Sequence, residues 1–385
     1  MNTADLYNSH LEVDMHILTE NYQEIRRLAG AGVTCIPVLK GNAYGVGLVP
    51  VAKVLCAAGA DTIAIAQVRE GVQLRGAGLT APRIFVLGGV PEHLFPAAVQ
   101  YDIGITLFCP ATALALEAEC ARQGRAAFGV QIKIETGLHR AGVLPGAELA
   151  ALLAALAQCP HLTVEGVFSH FADGEVHGSL LARAQYERFC TALAQLQAAG
   201  VQPPLVHLCN SGASEWFSEA AFSAIRVGRR LYMGSQQVPG SGGAIGEVCS
   251  WRASVTNLRT LQPGETVGYD AAWTAQRQTR VALICAGYSD GVYPPLAAAH
   301  APVLVGHERA PLLGTCMDQC FADVTDIPCA VGDEVTFFGR SSDGRAFLSA
   351  QEVGAFIGDE GVFFTNALTP RVGRVYLHMP AGCAD

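Results

Sequence analysis

The sequence predicts an α/β chain: an N-terminal (β/α)8 barrel of TIM type followed by a C-terminal, mainly β domain. Three observations carry that expectation. Over residues 12–228, short β-branched runs alternate with alanine- and leucine-rich stretches of helical periodicity. Eight such runs can be counted, and parallel neighbours need crossover connections of the kind the intervening helices provide. After Gly234 the texture changes to β-rich runs broken by Gly, Pro and Asp turns. An open doubly wound sheet is the rival arrangement for the first part.

The strands of the first part are expected at 34–40, 62–66, 83–88, 103–108, 128–135, 162–170, 205–210 and 224–228. Helices are expected between them, at 49–59, 111–123, 146–157 and 180–199 among others, the last strongly amphipathic. The stretch 235–247, Ser-Gln-Gln-Val-Pro-Gly-Ser-Gly-Gly-Ala-Ile-Gly-Glu, is polar and glycine-rich and reads as a linker. β-rich runs follow at 251–258, 279–285, 302–305 and 333–338, with 350–357 alone of helical character. The division expected is therefore 1–238 and 239–385.

Composition narrows the function classes. Of 385 residues, 50% are hydrophobic and 15% charged, which suits a compact globular protein with well-buried cores. No apolar run reaches the roughly 20 residues of a membrane span, and no basic-then-apolar leader opens the chain. A net charge of −9 argues against general nucleic-acid binding. The 13 cysteines are scattered, odd in number and without a Cys-x-x-Cys pair. They read as reduced, buried residues of a cytoplasmic protein.

The most informative stretch is 36–47, Ile-Pro-Val-Leu-Lys-Gly-Asn-Ala-Tyr-Gly-Val-Gly. An apolar run opens into a glycine-punctuated loop with Lys40 at the junction. A lysine there loses hydration, which lowers its pKa and frees the amine for Schiff-base chemistry. The plain alternative is a snorkelling lysine at a strand end. Other reactive groups also stand at strand ends, where such barrels gather their chemistry. Lys133, Glu135 and Arg140 end or follow the fifth strand, and His170 ends the sixth. Asn210 and Ser211 end the seventh, and Arg226 lies in the eighth. Tyr44, Ser211 and the backbone near Gly228 could hold an anion; a structural ion pair is the plain reading of Arg226.

These segments, in this order, resemble those of the alanine racemase family, and the resemblance covers nearly the whole chain. It implies pyridoxal 5'-phosphate (PLP) as cofactor, with Lys40 as its Schiff-base lysine. It places Arg226 at the pyridine nitrogen with His170 behind it, and the phosphate among Tyr44, Ser211, Gly228 and Arg229. Arg140 would meet the substrate carboxylate, and Lys133 matches a lysine that is carbamylated in many members. In the β domain, Val-Gly-Tyr-Asp-Ala-Ala-Trp resembles the segment of the catalytic tyrosine, here Tyr269. Ala-Gly-Tyr-Ser-Asp-Gly, with Tyr288, resembles the segment lining substrate access, and Gly-Thr-Cys-Met-Asp-Gln, with Met317, the loop whose amide meets the substrate carboxylate. The departures are Gly41, Val46, Thr315, Pro370 and the stretch after Asp290.

The resemblance implies a two-base interconversion of L- and D-alanine that supplies D-alanine for peptidoglycan. Lys40 would take the Cα proton of the D-enantiomer and Tyr269 that of the L-enantiomer. A phenol, with a reference pKa of about 10, is a poor base unless a cation such as Arg140 stabilises its anion. A homodimer with shared sites is also implied. Pro370 leaves serine or a broader range of amino acids open as substrate. Other readings are a metal site at His170, Asp173, Glu175 and His177 with His207, a non-catalytic PLP-binding protein and a decarboxylase of the same fold. No metal is expected on the main reading.

Overall fold

The computed structural model describes residues 6–233, 245–359 and 362–383. The expected boundary at 238 and most of the expected linker 235–247 lie outside them. A first strand, β1 (Ser9–Asp14), precedes eight parallel strands: β2 (Thr34–Pro37), β3 (Thr62–Ile65), β4 (Arg83–Val86), β5 (Ile105–Leu107), β6 (Phe128–Lys133), β7 (Leu162–Phe168), β8 (Leu205–His207) and β9 (Ala224–Val227). The order β2-β9-β8-β7-β6-β5 forms one continuous sheet, and β3 pairs with β4. Parallel bridges Val38–Ala64 and Phe85–Gly104 join the two pieces, so the ring closes. All eight expected strands are present, and the closed ring excludes the open-sheet alternative.

The barrel closes because these runs are apolar on both faces, as strands covered by helices outside and side chains inside must be. Ile36, Val38, Ala64, Phe85, Leu205 and Ala224 pack together in the interior. The outer faces meet helices such as Met15–Ala29, Leu48–Ala57, Pro110–Arg122 and Leu180–Ala198. The reactive side chains stand at or just past the strand ends: Lys133 ends β6, and Lys40, His170 and Ser211 follow β2, β7 and β8.

The second unit is built on β10 (Cys249–Leu261). It pairs antiparallel with Thr279–Ile284 and Glu334–Arg340, and Pro302–Val305, Glu308–Thr315 and Cys320–Asp323 complete a six-stranded ring. β1 pairs with β10, Leu11 facing Trp251, and with Gly373–Leu377. Residues 9–14, grouped with the barrel by a division at 238, thus run in the second unit's sheet. Strand Glu308–Thr315 was not expected because Pro311 interrupts it. Pro311 faces Pro302, one step from the bond of Leu312 N–H to Ala301 O at 3.0 Å, so it occupies a non-hydrogen-bonded position and this ladder loses nothing. Helices Pro294–Ala298 and Val362–Ala367 join Ala350–Ala355, the one helix expected there.

Candidate active site

The barrel's mouth encloses a cavity of about 560 Å³. Lys40, Tyr44, Lys133, Arg140, His170, Ser211, Arg226, Gly228 and Arg229 all line it, together with Asn210 and Glu175. The barrel residues that the family resemblance marks as cofactor or substrate groups therefore meet the same space, whereas Glu135, Asp173, His177 and His207 do not line it. Tyr269, Tyr288 and Met317 do not line it.

Lys40 stands three residues past the end of β2, and the chain then makes a left-handed turn. Gly41, Asn42, Ala43, Tyr44 and Gly45 have φ of 64°, 58°, 54°, 58° and 82°. For each of the three non-glycine residues the left-handed form costs roughly 1–2 kcal/mol. Bonds from outside the turn offset this. Glu70 accepts the N–H of Gly41 at 2.8 Å, and Arg374 Nη2 donates to Gly45 O at 2.9 Å. The Lys40 amine stands 5.9 Å from the centroid of the Tyr44 ring. Desolvation lowers its pKa from the usual lysine range; Arg140 and Arg226 push the same way, and Glu70 opposes. A larger neutral fraction is what an amine needs to attack a carbonyl.

A cradle for an anion lies beside this turn. Gly228 N–H donates to Ser211 Oγ at 3.1 Å, and a Cβ on Gly228 would stand 2.2 Å from the Tyr44 hydroxyl oxygen. Only glycine lets the Tyr44 hydroxyl and the 228 backbone approach so closely. Burial pushes the Tyr44 phenol up to about 12 against the pull of Arg229, so it remains a donor at neutral pH. Arg229 adds positive charge and pairs with Glu175 at 3.1 Å. Two hydroxyls, backbone N–H and a guanidinium suit a phosphate.

Arg226 is buried in β9. Its Nη1 lies 2.8 Å from His207 Nδ1 and 2.9 Å from His207 O. Its Nη2 lies 2.7 Å from Ser169 O, 3.1 Å from Leu208 O and 3.1 Å from His170 Nδ1. A guanidinium only donates, so both imidazoles accept through Nδ1 and carry their proton on Nε2. Burial, then Arg226, holds both rings neutral. Burial also lowers Arg226 to about 10, which leaves it cationic at neutral pH. Among the described contacts its Nε–H has no protein acceptor. One donor is thus left on a residue that lines the cavity. His170 thus contacts Arg226 through Nδ1. His207, considered earlier only as a metal ligand, does so as well, and a histidine two residues into an apolar strand gave no sign of this.

Lys133, 5% exposed, ends β6 and lies 5.6 Å from the Phe168 ring centroid. Burial, reinforced by Arg140 and Arg226, lowers its pKa to about 8. Glu135 shapes the loop carrying Arg140: it accepts the N–H of Gly137 at 2.5 Å and of Arg140 at 3.3 Å. Burial would raise its pKa, but backbone donors from His139, Gly137, Arg140 and Leu138 outweigh it, and the carboxyl stays below its usual range.

Tyr269, Met317 and Tyr288 are 72%, 57% and 44% exposed on the second unit. The loops of Tyr288 and Met317 are joined by Tyr288 N–H to Cys316 O at 3.0 Å and Ser289 N–H to Met317 O at 2.8 Å. A Cβ on Gly287 would stand 2.4 Å from Cys316 O, so this contact needs glycine. Thr315, where an arginine is usual, bonds within its own hairpin through Cys316 O at 3.2 Å.

The metal reading fails on geometry. Asp173 accepts from Ser179, Glu175 pairs with Arg229, and His177 stacks on Trp216 at 5.8 Å. Among the described residues no group of three His, Cys, Asp or Glu could hold a metal ion.

Two family models match the chain: alanine racemase, N-terminal domain, over residues 13–236, and alanine racemase, C-terminal domain, over 248–376. The chain belongs to the alanine racemase family. The alanine racemase of Symbiobacterium thermophilum is 35% identical over 369 residues, 95% of this chain and 96% of its own length. The crystal structure of alanine racemase from Bacillus anthracis with bound L-Ala-P matches with a TM-score of 0.87 at 30% identity, covering 96% of this chain and 95% of that one. The enzyme of D-cycloserine-producing Streptomyces lavendulae matches with a TM-score of 0.88 at 29% identity, covering 96% and 97%. As a member of this family the chain is a PLP-dependent amino-acid racemase, an isomerase.

Proposed function

We propose that the chain interconverts L- and D-alanine at a site shared between two subunits, with Lys40 and Tyr269 as the two bases. The observation that carries this reading is the convergence of Lys40, Arg226 and the Tyr44–Ser211–Gly228 cradle on one cavity. These residues fit PLP: an amine of lowered pKa, one free donor on a buried guanidinium, and an anion cradle that a Cβ at 228 would fill. The cofactor, when bound, delocalises the charge left at Cα as the proton departs. Lys40 would hold it covalently and, as a free amine, would exchange the Cα proton on one face. Tyr269 of the partner subunit exchanges it on the other, while Arg140 and the Met317 amide bind the carboxylate.

Arg226 sets the outcome. It would donate to the ring nitrogen of the bound cofactor without giving up its proton, which would leave that nitrogen unprotonated and favour return of the proton to Cα. Arg226→Glu is expected to slow racemisation by on the order of 10²-fold while raising transamination, read as keto acid formed per turnover. Unchanged partitioning would place Arg226 away from the ring.

Lys133 near pKa 8 is suited to carbamylation, in which its neutral amine attacks CO2, forms an N–C bond and releases a proton. The carbamate would then pair with Arg140. Because only the neutral amine reacts, carbamylation at fixed dissolved CO2 should rise with pH up to about 8, as the mass of intact protein under labelled CO2 would show. No added mass at any pH would exclude it.

A homodimer is supported by the exposure of Tyr269, Met317 and Tyr288 and by their absence from the cavity lining. A cytoplasmic setting is supported by cysteines that are all free, and no helix among the described residues is long and apolar enough to cross a membrane. D-alanine made there would serve peptidoglycan. The division at 238 is supported by family matches that end at 236 and resume at 248, with β1 crossing over. Racemisation assays on a panel of L-amino acids test the reading: alanine should be preferred, and a preference for serine would reassign the substrate through Pro370.

A further inference from the structure

Glu70 reads from sequence as an ordinary acid in the first turn of the helix Val68–Gly76, and the chemistry above does not use it. It is 6% exposed, and its carboxylate is divided between two strand ends. Oε1 accepts the N–H of Gly41 at 2.8 Å and of Asn42 at 3.4 Å. Oε2 accepts the N–H of Ala66 at 2.9 Å and of Gln67 at 3.0 Å. The first pair opens the left-handed turn after Lys40. The second pair follows β3, where Ala66 lines the cavity.

The turn is gripped at its far end as well. Arg374 donates to Gly45 O through Nη2 at 2.9 Å and Nε at 3.1 Å, and Tyr376 OH donates to Val46 O at 3.1 Å. Between these grips Asn42, Ala43 and Tyr44 hold a conformation that L-residues adopt only when their surroundings impose it. Lys40 immediately precedes the turn and Tyr44 lies within it. A shift of the turn therefore displaces the amine and the hydroxyl together.

We propose that Glu70 is a positioning residue of this racemase: it locks the turn that sets the Lys40 amine and the Tyr44 hydroxyl in the cavity. The inference rests on Lys40 as the cofactor-bearing lysine. Of the charged groups that act on Lys40, Arg140 and Arg226 favour its neutral form and Glu70 alone favours its cation.

The test compares holoenzymes carrying Glu70→Gln, Glu70→Asp and the double change Glu70→Gln with Ala43→Gly. Three readouts are taken: kcat with KM, amide hydrogen exchange over 41–47, and the pH at which the bond between Lys40 and the cofactor loses its proton, followed in the visible spectrum. Glu70→Gln turns an amide NH2 toward backbone donors and removes the charge. It should lower kcat about tenfold or more with little change in KM, speed exchange over 41–47, and lower the spectral midpoint. Adding Ala43→Gly relieves the left-handed cost at 43, so kcat should partly recover while the midpoint stays low. Glu70→Asp keeps the charge but is too short to span both loops. Its midpoint should stay near that of the parent while kcat falls.

Parental kcat, exchange and midpoint in Glu70→Gln would overturn the proposal. So would a Glu70→Gln protein that is merely less heat-stable, since a purely structural carboxylate predicts that result. If Glu70→Gln does not fold, Glu70→Asp with parental kcat and exchange overturns it. Borohydride marking a lysine other than Lys40 in the parent is a different failure: it removes the reading of Lys40 and this one with it.

Discussion

A Lys40→Ala protein is expected to lose racemisation by on the order of 10⁴-fold or more and to leave borohydride no lysine to mark. The size follows from the two tasks that fall on one amine. On the proposed reading it would hold the cofactor covalently and, as a free amine, serve as a base for the Cα proton, and no neighbouring group would inherit both tasks. The nearest rival is Lys133, which lines the same cavity with a pKa lowered to about 8. Lys133 ends β6, whereas Lys40 opens the turn that carries Tyr44 beside the Ser211–Gly228 cradle. A cofactor anchored by its phosphate in that cradle is placed for Lys40. Peptide mapping after reduction should therefore find the label on residue 40 in the parent and none in the variant. A Lys40→Ala protein that is still labelled, at Lys133 or elsewhere, would displace Lys40 from the centre of the site. Reduced but substantial turnover would do the same.

The barrel was legible because its strands carry their own signal. A run such as 62–65, Thr-Ile-Ala-Ile, is largely apolar, rich in β-branched residues and flanked by helices, and all of that information is local. β1 shows the opposite case. Its six residues alternate well enough to form a strand, but nothing in Ser9–Asp14 states that Leu11 will face Trp251. Pairing across that sequence distance is fixed by closure of the second unit, not by local preference. Pro311 misled for a similar reason. A proline disfavours a strand unless its missing N–H falls where the ladder makes no bond, and only the register reveals that. Among the site residues, those legible in sequence act through side chains at strand ends within recognisable segments. Glu70 and His207 act by accepting from backbone N–H groups or from another side chain. A glutamate in a helix's first turn and a histidine in a buried strand look ordinary until the structure shows what they touch.

The largest effect that depends on assembly concerns Tyr269. Its side chain is 72% exposed and absent from the cavity of its own chain, so a lone subunit has Lys40 but no second base in place. Tyr269→Phe is expected to reduce racemisation by on the order of 10²–10⁴-fold, the usual range for a lost general acid–base group. The loss should be unequal between faces: removal of the Cα proton from the L-enantiomer should suffer far more than removal from the D-enantiomer, read as deuterium exchange from solvent in single turnovers. Equal losses would make Tyr269 a binding residue. Mixing settles where Tyr269 acts. Tyr269→Phe and Lys40→Ala subunits, dissociated and reassociated together, form hybrids in which two unlike sites face each other across one interface. If Tyr269 serves the partner's site, one site per hybrid joins an intact Lys40 to an intact Tyr269 and the other lacks both. Activity should then return to about half that of the parent dimer per hybrid. If Tyr269 instead served its own chain, each site would lack one base and mixing would restore nothing. Absence of recovery in hybrids verified by mass would therefore end the shared-site reading, while recovery near one half requires it.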